Sequence, residues 1–178
     1  MKRKYIIGID GSGVDELLEA LEKLQVWLKT KAQELLDRLA SEGFQIASAG
    51  FSGAEYDGTN DVSVSIEDRG ETTKAVVAVG SASLFIEFGT GVKYQTPAHP
   101  EAGQHGMIRG GYGHGLGRLD SGWRYPEENG AGTGATQDPD HPGYLHTYGN
   151  PANMPMYKGA KHIKERLPAL AREVFSGD

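Results

Sequence analysis

The sequence predicts an α+β fold, in which a long N-terminal helix and a C-terminal helix pack on a small, mostly antiparallel sheet. A stripe of apolar residues, mostly leucine, at helical spacing over 14–39 predicts the first helix. Alternating apolar and polar residues over 62–67, followed by a turn and a second strand at 72–79, predict the sheet. With 178 residues the chain fits one domain. We divide it into a scaffold at 1–91, an extended loop at 92–149 and a C-terminal segment at 150–178.

Composition excludes several classes of protein. Hydrophobic residues make up 38% and charged residues 24%, which is typical of an ordered globular domain. No apolar run approaches the roughly 20 residues of a membrane-spanning helix, so we expect no membrane association. The chain has no cysteine, which rules out disulfides, thiolate metal sites and cysteine nucleophiles. A net charge of −6 argues against a surface that coats nucleic acid, but it is compatible with a channel through which DNA slides.

The N-terminal region predicts a short strand at residues 4–9 and then a helix. Residues 8–13 are glycine-rich, but Val14 and Asp15 stand where a phosphate-binding loop needs lysine and a hydroxyl. We interpret Ser12 as the helix N-cap, with Asp15 as its capping-box partner.

The leucine stripe carries this helix from Val14 to Glu42, and Gly43 is a natural stop, with irregular chain following at 44–53. A helix about 43 Å long is more than one small sheet can cover. We expect its exposed end to pack on another subunit, the alternative being a bend. Trp27 lies off the stripe and is interpreted as a flank of the core.

An antiparallel hairpin is predicted next. Val62, Val64 and Ile66 alternate with polar residues, as in a half-buried strand. Residues 68–71 are typical of a turn, and residues 72–79 return as the second strand.

A short apolar cluster at 83–91 surrounds one carboxylate, Glu87, and ends in Gly-Thr-Gly. We expect a buried strand here, with a helical turn as the alternative. A carboxylate in such a cluster is costly unless it is hydrogen-bonded, so Glu87 should have a fixed partner, such as the N–H groups of the following turn. The alternative is that Glu87 faces outward. The large apolar residues of the cluster are Leu84, Phe85, Ile86 and Phe88.

The long loop that follows is rich in glycine and contains five of the six histidines. Trp123 and Tyr125 are expected to form a short strand that anchors the loop to the scaffold. The histidines lack the spacing of a helical metal site, so we expect no metal and no other cofactor. These histidines are His99, His105, His114, His141 and His146.

The C-terminal segment predicts an extended stretch followed by an amphipathic helix. Residues that precede prolines, as at Pro151 and Pro155, avoid the helical region, which makes 150–156 extended. Apolar residues then recur every three or four positions, and Pro168 should kink or restart the helix.

Several of these motifs, in this order, resemble the tail-completion and minor-tail-component family of tailed phages, typified by gene product ten of phage HK-ninety-seven. Residues 57–65 and the glycine-rich run at 110–117 are similar to members from phages and prophages of Gram-positive bacteria. The residues that carry the resemblance lie in three groups: Phe85, Ile86, Glu87, Phe88, Gly89, Thr90 and Gly91; Trp123 and Tyr125; and Asn150, Pro151, Ala152, Met154, Pro155 and Met156.

The resemblance implies a structural role without catalytic residues. Such proteins form a ring, commonly hexameric, in the neck of the virion, between the tail tube or its terminator and the head connector. DNA would pass through the ring without specific binding. Two alternatives are a metal-dependent hydrolase that uses the loop histidines and a DNA-binding module that uses Lys2, Arg3 and Lys4 with lysines of the last helix.

Overall fold

Two long helices and two small antiparallel sheets form the α+β fold that the sequence predicts. The computed structural model describes residues 11–91, 98–107, 122–129 and 135–176. The predicted strand at 4–9, the run at 110–117, His114 and Lys2–Lys4 lie outside these residues. The elements are α1 (Gly11–Ser52), β1 (Ser63–Asp68), β2 (Lys74–Val79), α2 (Ser83–Phe88), β3 (Trp123–Pro126), β4 (Thr136–Gln137), β5 (Tyr144–Thr147) and α3 (Pro155–Ser176), with short 3-10 turns at Ala102–His105 and Glu127–Asn129. None of the described helices is long and apolar enough to cross a membrane.

Helix α1 is longer than predicted at both ends. It already includes Gly11, so Ser12 lies inside the helix and is not its N-cap. It also continues through Gly43 to Ser52, so the predicted stop and the irregular segment at 44–53 were wrong. With 42 residues, α1 is about 63 Å long at 1.5 Å per residue.

Small residues explain why Gly43 does not end α1. Helices α1 and α3 cross at close range, and a Cβ atom on Gly43 would lie 2.4 Å from Cδ1 of Ile163. A Cβ on Gly159 would lie 3.1 Å from the carbonyl oxygen of Gly43, and one on Gly50 would lie 2.7 Å from Cβ of Pro155. The glycines are therefore needed for helix–helix contact, which outweighs their low helix propensity.

Among the residues that the structure describes, the first part of α1 extends beyond the other elements. Trp27 packs edge-on against Phe175, with ring centroids 5.9 Å apart, and α3 ends one residue later at Ser176. Trp27 is half-buried, at the flank of the core as predicted. Residues 11–26 therefore continue past the end of α3 by about 24 Å. We call residues 11–26 the α1 arm.

The predicted hairpin is confirmed. Strands β1 and β2 pair antiparallel from Ser63 opposite Val79 to Asp68 opposite Lys74. The hairpin covers the second half of α1. A cluster of buried core residues lies where the end of α1 meets the start of α2. They are Phe51, Ala82 and Ile86.

A second sheet, with the order β3-β5-β4, replaces part of the predicted loop. Trp123 and Tyr125 lie on β3 as predicted, opposite Thr147 and Leu145 of β5. Strands β4 and β5 were not predicted. Strand β4 has only two residues, which is too short to show an alternating pattern.

Helix α3 passes through Pro168 as one element. The predicted restart does not occur. Pro168 is exposed, so the carbonyl that loses its hydrogen bond lies on the solvent side, where water can satisfy it.

A larger side chain at the crossing of α1 and α3 should destabilise the fold. We expect Gly50→Leu to lower the free energy of unfolding by about 2 kcal/mol or more, because neither contacting atom of Pro155 belongs to a flexible chain end. Ala49→Leu is the matched control, since Ala49 is the exposed neighbour on the same helix, and it should change stability by less than about 0.5 kcal/mol. Urea unfolding measures both. Equal effects would contradict close packing at Gly50.

An ionic cluster between α1 and α3 should make stability depend on pH. Glu42 accepts hydrogen bonds from Arg166 at 3.1 and 3.2 Å and contacts Nε2 of His162 at 2.8 Å. Arg166, and to a lesser extent His162, lower the pKa of Glu42 below its ordinary value of 4.5, against the opposing effect of partial burial. The stabilisation is therefore complete above about pH 4.5 and is lost as the pH falls through the lowered pKa of the folded state.

Glu42→Gln should accordingly unfold at a lower temperature than the unmutated protein at pH 7. The difference in unfolding temperature between the two proteins should become smaller as the pH falls from 4.5 towards 3, because the carboxyl group of Glu42 in the unmutated protein is then also neutral. Thermal unfolding at both ends of that range tests this. A gap that stayed constant would mean that the charge of Glu42 does not contribute.

Candidate functional site

Residues Ser83–Phe88 of the apolar cluster form a short helix. The expected strand was wrong, and the helical alternative is confirmed. Helix α2 begins directly after the hairpin, where the carboxylate of Asp61 accepts hydrogen bonds from the backbone N–H groups of Ser81 at 2.8 Å and Ala82 at 3.0 Å. These bonds, with the Ser81 hydroxyl, lower the pKa of Asp61 to about 2. The short helix places Ile86, Glu87 and Phe88 in the interior and leaves Leu84 exposed.

Glu87 is a buried hub that joins α2 to α3. Its Oε2 accepts the backbone N–H of Met156 at 2.8 Å, and its Oε1 accepts that of Tyr157 at 2.9 Å. Nε2 of His99 lies 3.0 Å from the same Oε1. The fixed partner of Glu87 is therefore the first turn of α3, not the Gly-Thr-Gly turn, and the outward-facing alternative was wrong. Placing a carboxylate on free N–H groups at the positive end of a helix is electrostatically favourable.

His99 is held in one orientation and one tautomer. Its Nδ1 accepts the backbone N–H of Glu101 at 3.1 Å, so in the neutral ring Nε2 carries the hydrogen and donates it to Glu87. The ring lies between Phe88 and Tyr157, with centroid distances of 4.4 and 5.3 Å. The side chains of His99 and Glu87 are only 2% and 8% exposed.

The other described loop histidines do not contact Glu87. His105 packs on the same Phe88 ring as His99, His141 is 3.4 Å from Asp138, and His146 is on β5. Within the described ranges, no three histidine or acidic side chains come together in a way that could hold a metal ion.

Backbone hydrogen bonds fasten α2 and its turn to the segment that precedes α3. The N–H of Asn153 donates to the carbonyl of Ile86 at 2.9 Å, and that of Met154 donates to the carbonyl of Glu87 at 3.2 Å. In the turn that follows α2, the N–H of Thr90 donates to the carbonyl of Asn150 at 2.8 Å, and the Thr90 hydroxyl accepts the N–H of Asn150 at 3.0 Å. Together with the Glu87–His99 pair, these two segments, 85–91 and 149–157, form what we call the clasp.

Glycines allow the two segments of the clasp to touch backbone to backbone. Gly89 has a φ of +77°, and a Cβ there would lie 2.7 Å from the nitrogen of Ala152. Gly149 has a φ of +98°, and its Cβ would lie 2.3 Å from the carbonyl oxygen of Thr90. Side chains are therefore excluded at both positions by conformation and by space.

The clasp collects most of the residues that carry the family resemblance. The ring of Trp123 lies against Gly91, where a Cβ would be 2.8 Å from its Cζ3. Tyr125 lies further along β3 from that contact, and Phe85 is half-buried. From the second segment, Ala152, Met154 and Pro155 are buried, and Pro151 and Met156 are half-buried.

Sequence reasoning missed Asp57 and Thr147, which extend the clasp to the chain after α1. The N–H of Asp57 donates to Oδ1 of Asn150 at 2.8 Å, and the hydroxyl of the buried Thr147 donates to the Asp57 carboxylate. In the sequence, Asp57-Gly58 is typical of an exposed turn. This pattern does not predict a contact with a residue about 90 positions later.

The arrangement is suited to holding elements together. Both oxygens of Glu87 and both ring nitrogens of His99 have structural partners, and the pair is closed off from solvent. Its effect is to fix the direction in which α3 leaves the clasp, and hence how α3 lies along α1.

Removing the charge of Glu87 should destabilise the fold strongly. In Glu87→Gln the amide can accept at one atom only, which leaves a buried N–H of α3 or His99 without an acceptor. We expect a loss of about 2–3 kcal/mol in the free energy of unfolding, measured by denaturant titration. Glu128→Gln, at an exposed position, is the control and should be close to neutral. A neutral result at Glu87 would contradict its role as a hub.

Comparison of the chain with family models, curated proteins and solved structures finds no match. The resemblance to the tail-completion family therefore rests on the motifs described above. What the structure adds is that two of these motifs, 85–91 and 149–157, meet in the clasp.

Proposed function

We propose that this protein is a structural component of a tailed-phage virion or a related tail-like particle. In this role it completes the tail at the head–tail junction, by forming a ring at the end of the tail tube. Its partners would be further copies of itself, commonly six in such rings, together with the tail tube or terminator and the head connector. The proposal needs no cofactor and no catalytic residue.

The observation that carries the proposal is the exposed apolar surface of the α1 arm and the turn that follows it. Large apolar side chains in this region are about half exposed to solvent. Four of them, Val14, Leu18, Leu21 and Leu28, form one stripe along the helix, and such a stripe normally packs against another element. Single exposed apolar residues are ordinary, but a continuous stripe on a projecting helix is typical of a protein-binding surface. The exposed fractions are 51% for Val14, 53% for Leu18, 47% for Leu21, 66% for Val26 and 46% for Leu28.

The clasp supports the same role, because a projecting helix needs a rigid base. Hydrogen bonds from α2 and the Asn150 segment fix α3, and α3 in turn packs along the second half of α1. The arm therefore has a defined direction relative to the folded body. A ring requires this property, since each copy must present its surface at the same angle to the next.

The overall charge is compatible with a passage for DNA. A chain of net charge −6 repels the phosphate backbone on average, which favours transit over retention. The charge therefore supports a role as a neck component and argues against a DNA-binding module.

The arm should drive self-association. We expect the unmutated protein to show a concentration-dependent increase in mass above the 19.1 kDa of one chain, towards about 115 kDa for six copies. Leu18→Ser with Leu21→Ser should shift that transition to at least about tenfold higher concentration, since two half-exposed leucines are removed. Light scattering at several concentrations, alone and with the tail-tube end protein, measures both.

Val79→Ser is the control, because Val79 is 60% exposed but lies on the hairpin, away from the arm. Circular dichroism would verify that each variant is folded. The proposal fails if the unmutated protein stays monomeric even with tail partners present.

A further inference from the structure

We propose that the α1 arm of one copy docks on the outer face of α3 in the next copy. This inference rests on the self-assembly proposed above and names the surface that receives the arm. The outer face of α3 is defined here by the exposed residues Lys161, Lys164, Leu167, Arg172 and Phe175.

The arm combines an apolar stripe with negative charge. Between residues 11 and 26 the chain has four carboxylates and one lysine, and that lysine, Lys23, is bound to Glu19 at 2.6 Å. Asp15 and Glu22 are two turns apart on the helix and lie along one side of the Leu18–Leu21 stripe. A partner of the arm should therefore offer apolar contact bordered by positive charge.

The outer face of α3 offers that combination. Helix α3 has five lysines and arginines but only two carboxylates. Of the cations, Arg166 is engaged with Glu42, and Lys161 lies 3.9 Å from the exposed carboxylate of Glu165. Lys164 and Arg172 are also on the exposed side. The exposed apolar side chains of this face are Leu167 at 43% and Phe175 at 37%, and the Phe175 ring also packs on Trp27 of its own chain.

The two surfaces also match in length. The arm covers about 24 Å, and the stretch from Lys161 to Phe175 covers about 21 Å at 1.5 Å per residue. Opposite charges along two apolar stripes favour this pairing, whereas pairing of two arms would bring carboxylates against carboxylates.

The arm cannot reach the α3 of its own chain. It is a continuation of the same helix that packs on the inner face of α3, and it points away from the end of α3 at Ser176. The contact must therefore form between copies. Because it joins two different surfaces, it leaves one arm and one α3 face free at each step, and such a contact closes into a ring or grows into a filament.

Engineered disulfides test the pairing directly, because the chain has no cysteine of its own. Leu21→Cys protein would be mixed with a mass-tagged Leu167→Cys protein under mild oxidation. We expect mixed dimers to exceed both homodimers at least about fivefold, as pairing of the two surfaces brings their Cβ atoms within disulfide range. Val79→Cys replaces Leu167→Cys as the matched control and should give little mixed product.

Charge reversal gives an independent readout by light scattering. Glu22→Lys and Lys164→Glu should each weaken association about fivefold or more, and the two together should restore it. Glu128→Lys, at an exposed site on neither surface, should have no effect.

The outcomes separate this inference from the proposed function. Predominant Leu21→Cys homodimers, or oligomers that form without mixed disulfides and without sensitivity to charge reversal, would overturn the pairing and leave self-assembly standing. A protein that remains monomeric with tail partners present would overturn both. Mixed disulfides together with rescue by the double reversal would support both.

Discussion

The structure depends on one electrostatic interaction, the seating of the Glu87 carboxylate on the first turn of α3. A buried carboxylate is costly in isolation, but here each oxygen receives a backbone N–H, and His99 donates a further hydrogen bond. The same N–H groups would otherwise be left unsatisfied at the start of a partly buried helix. The Glu87 side chain thus offsets both the cost of burying its own charge and the cost of burying the N–H groups of α3. It also fixes the position at which α3 begins.

From that point the fold is built outward by steric fit. Gly89 and Gly149 let the clasp close at backbone contact, and Gly43, Gly50 and Gly159 let α3 approach α1. The result is a firm body from which the α1 arm projects. Rigidity at the base and exposed apolar surface at the tip are complementary properties, and together they favour an assembly protein over one that works alone.

Much of this fold could be predicted from local pattern, because the signals are periodic and need no distant partner. The leucine stripe predicted α1, and alternation predicted the hairpin. The cost of burying Glu87 predicted that it would have a fixed partner. That partner could not be identified from the sequence, because Met156 is 69 residues away. Prediction from local sequence failed where tertiary contacts outweigh helix propensity. Gly43 is typical of a helix end, but its packing against α3 keeps it inside α1.

Two other failures have similar causes. The four large apolar residues around Glu87 are as compatible with a helical turn as with a strand. Only tertiary contacts decide between them: the hydrogen bonds of Asp61 to the turn before α2, and the packing of Ile86. Asp57 and Thr147 meet across 90 residues, so neither position has a local signature of the contact.

The clasp also has a consequence for the order of folding. The backbone hydrogen bonds of helix α1 and of the hairpin join residues that are close in sequence, and such elements form quickly. Closing the clasp requires α2 to meet a segment about 60 to 70 residues later, and the entropy of closing that loop is lost before any of its bonds form. We therefore expect the closure of the clasp to limit the rate of folding. Until then we expect the apolar stripe of α1 to be uncovered, which makes it the first surface available to a chaperone.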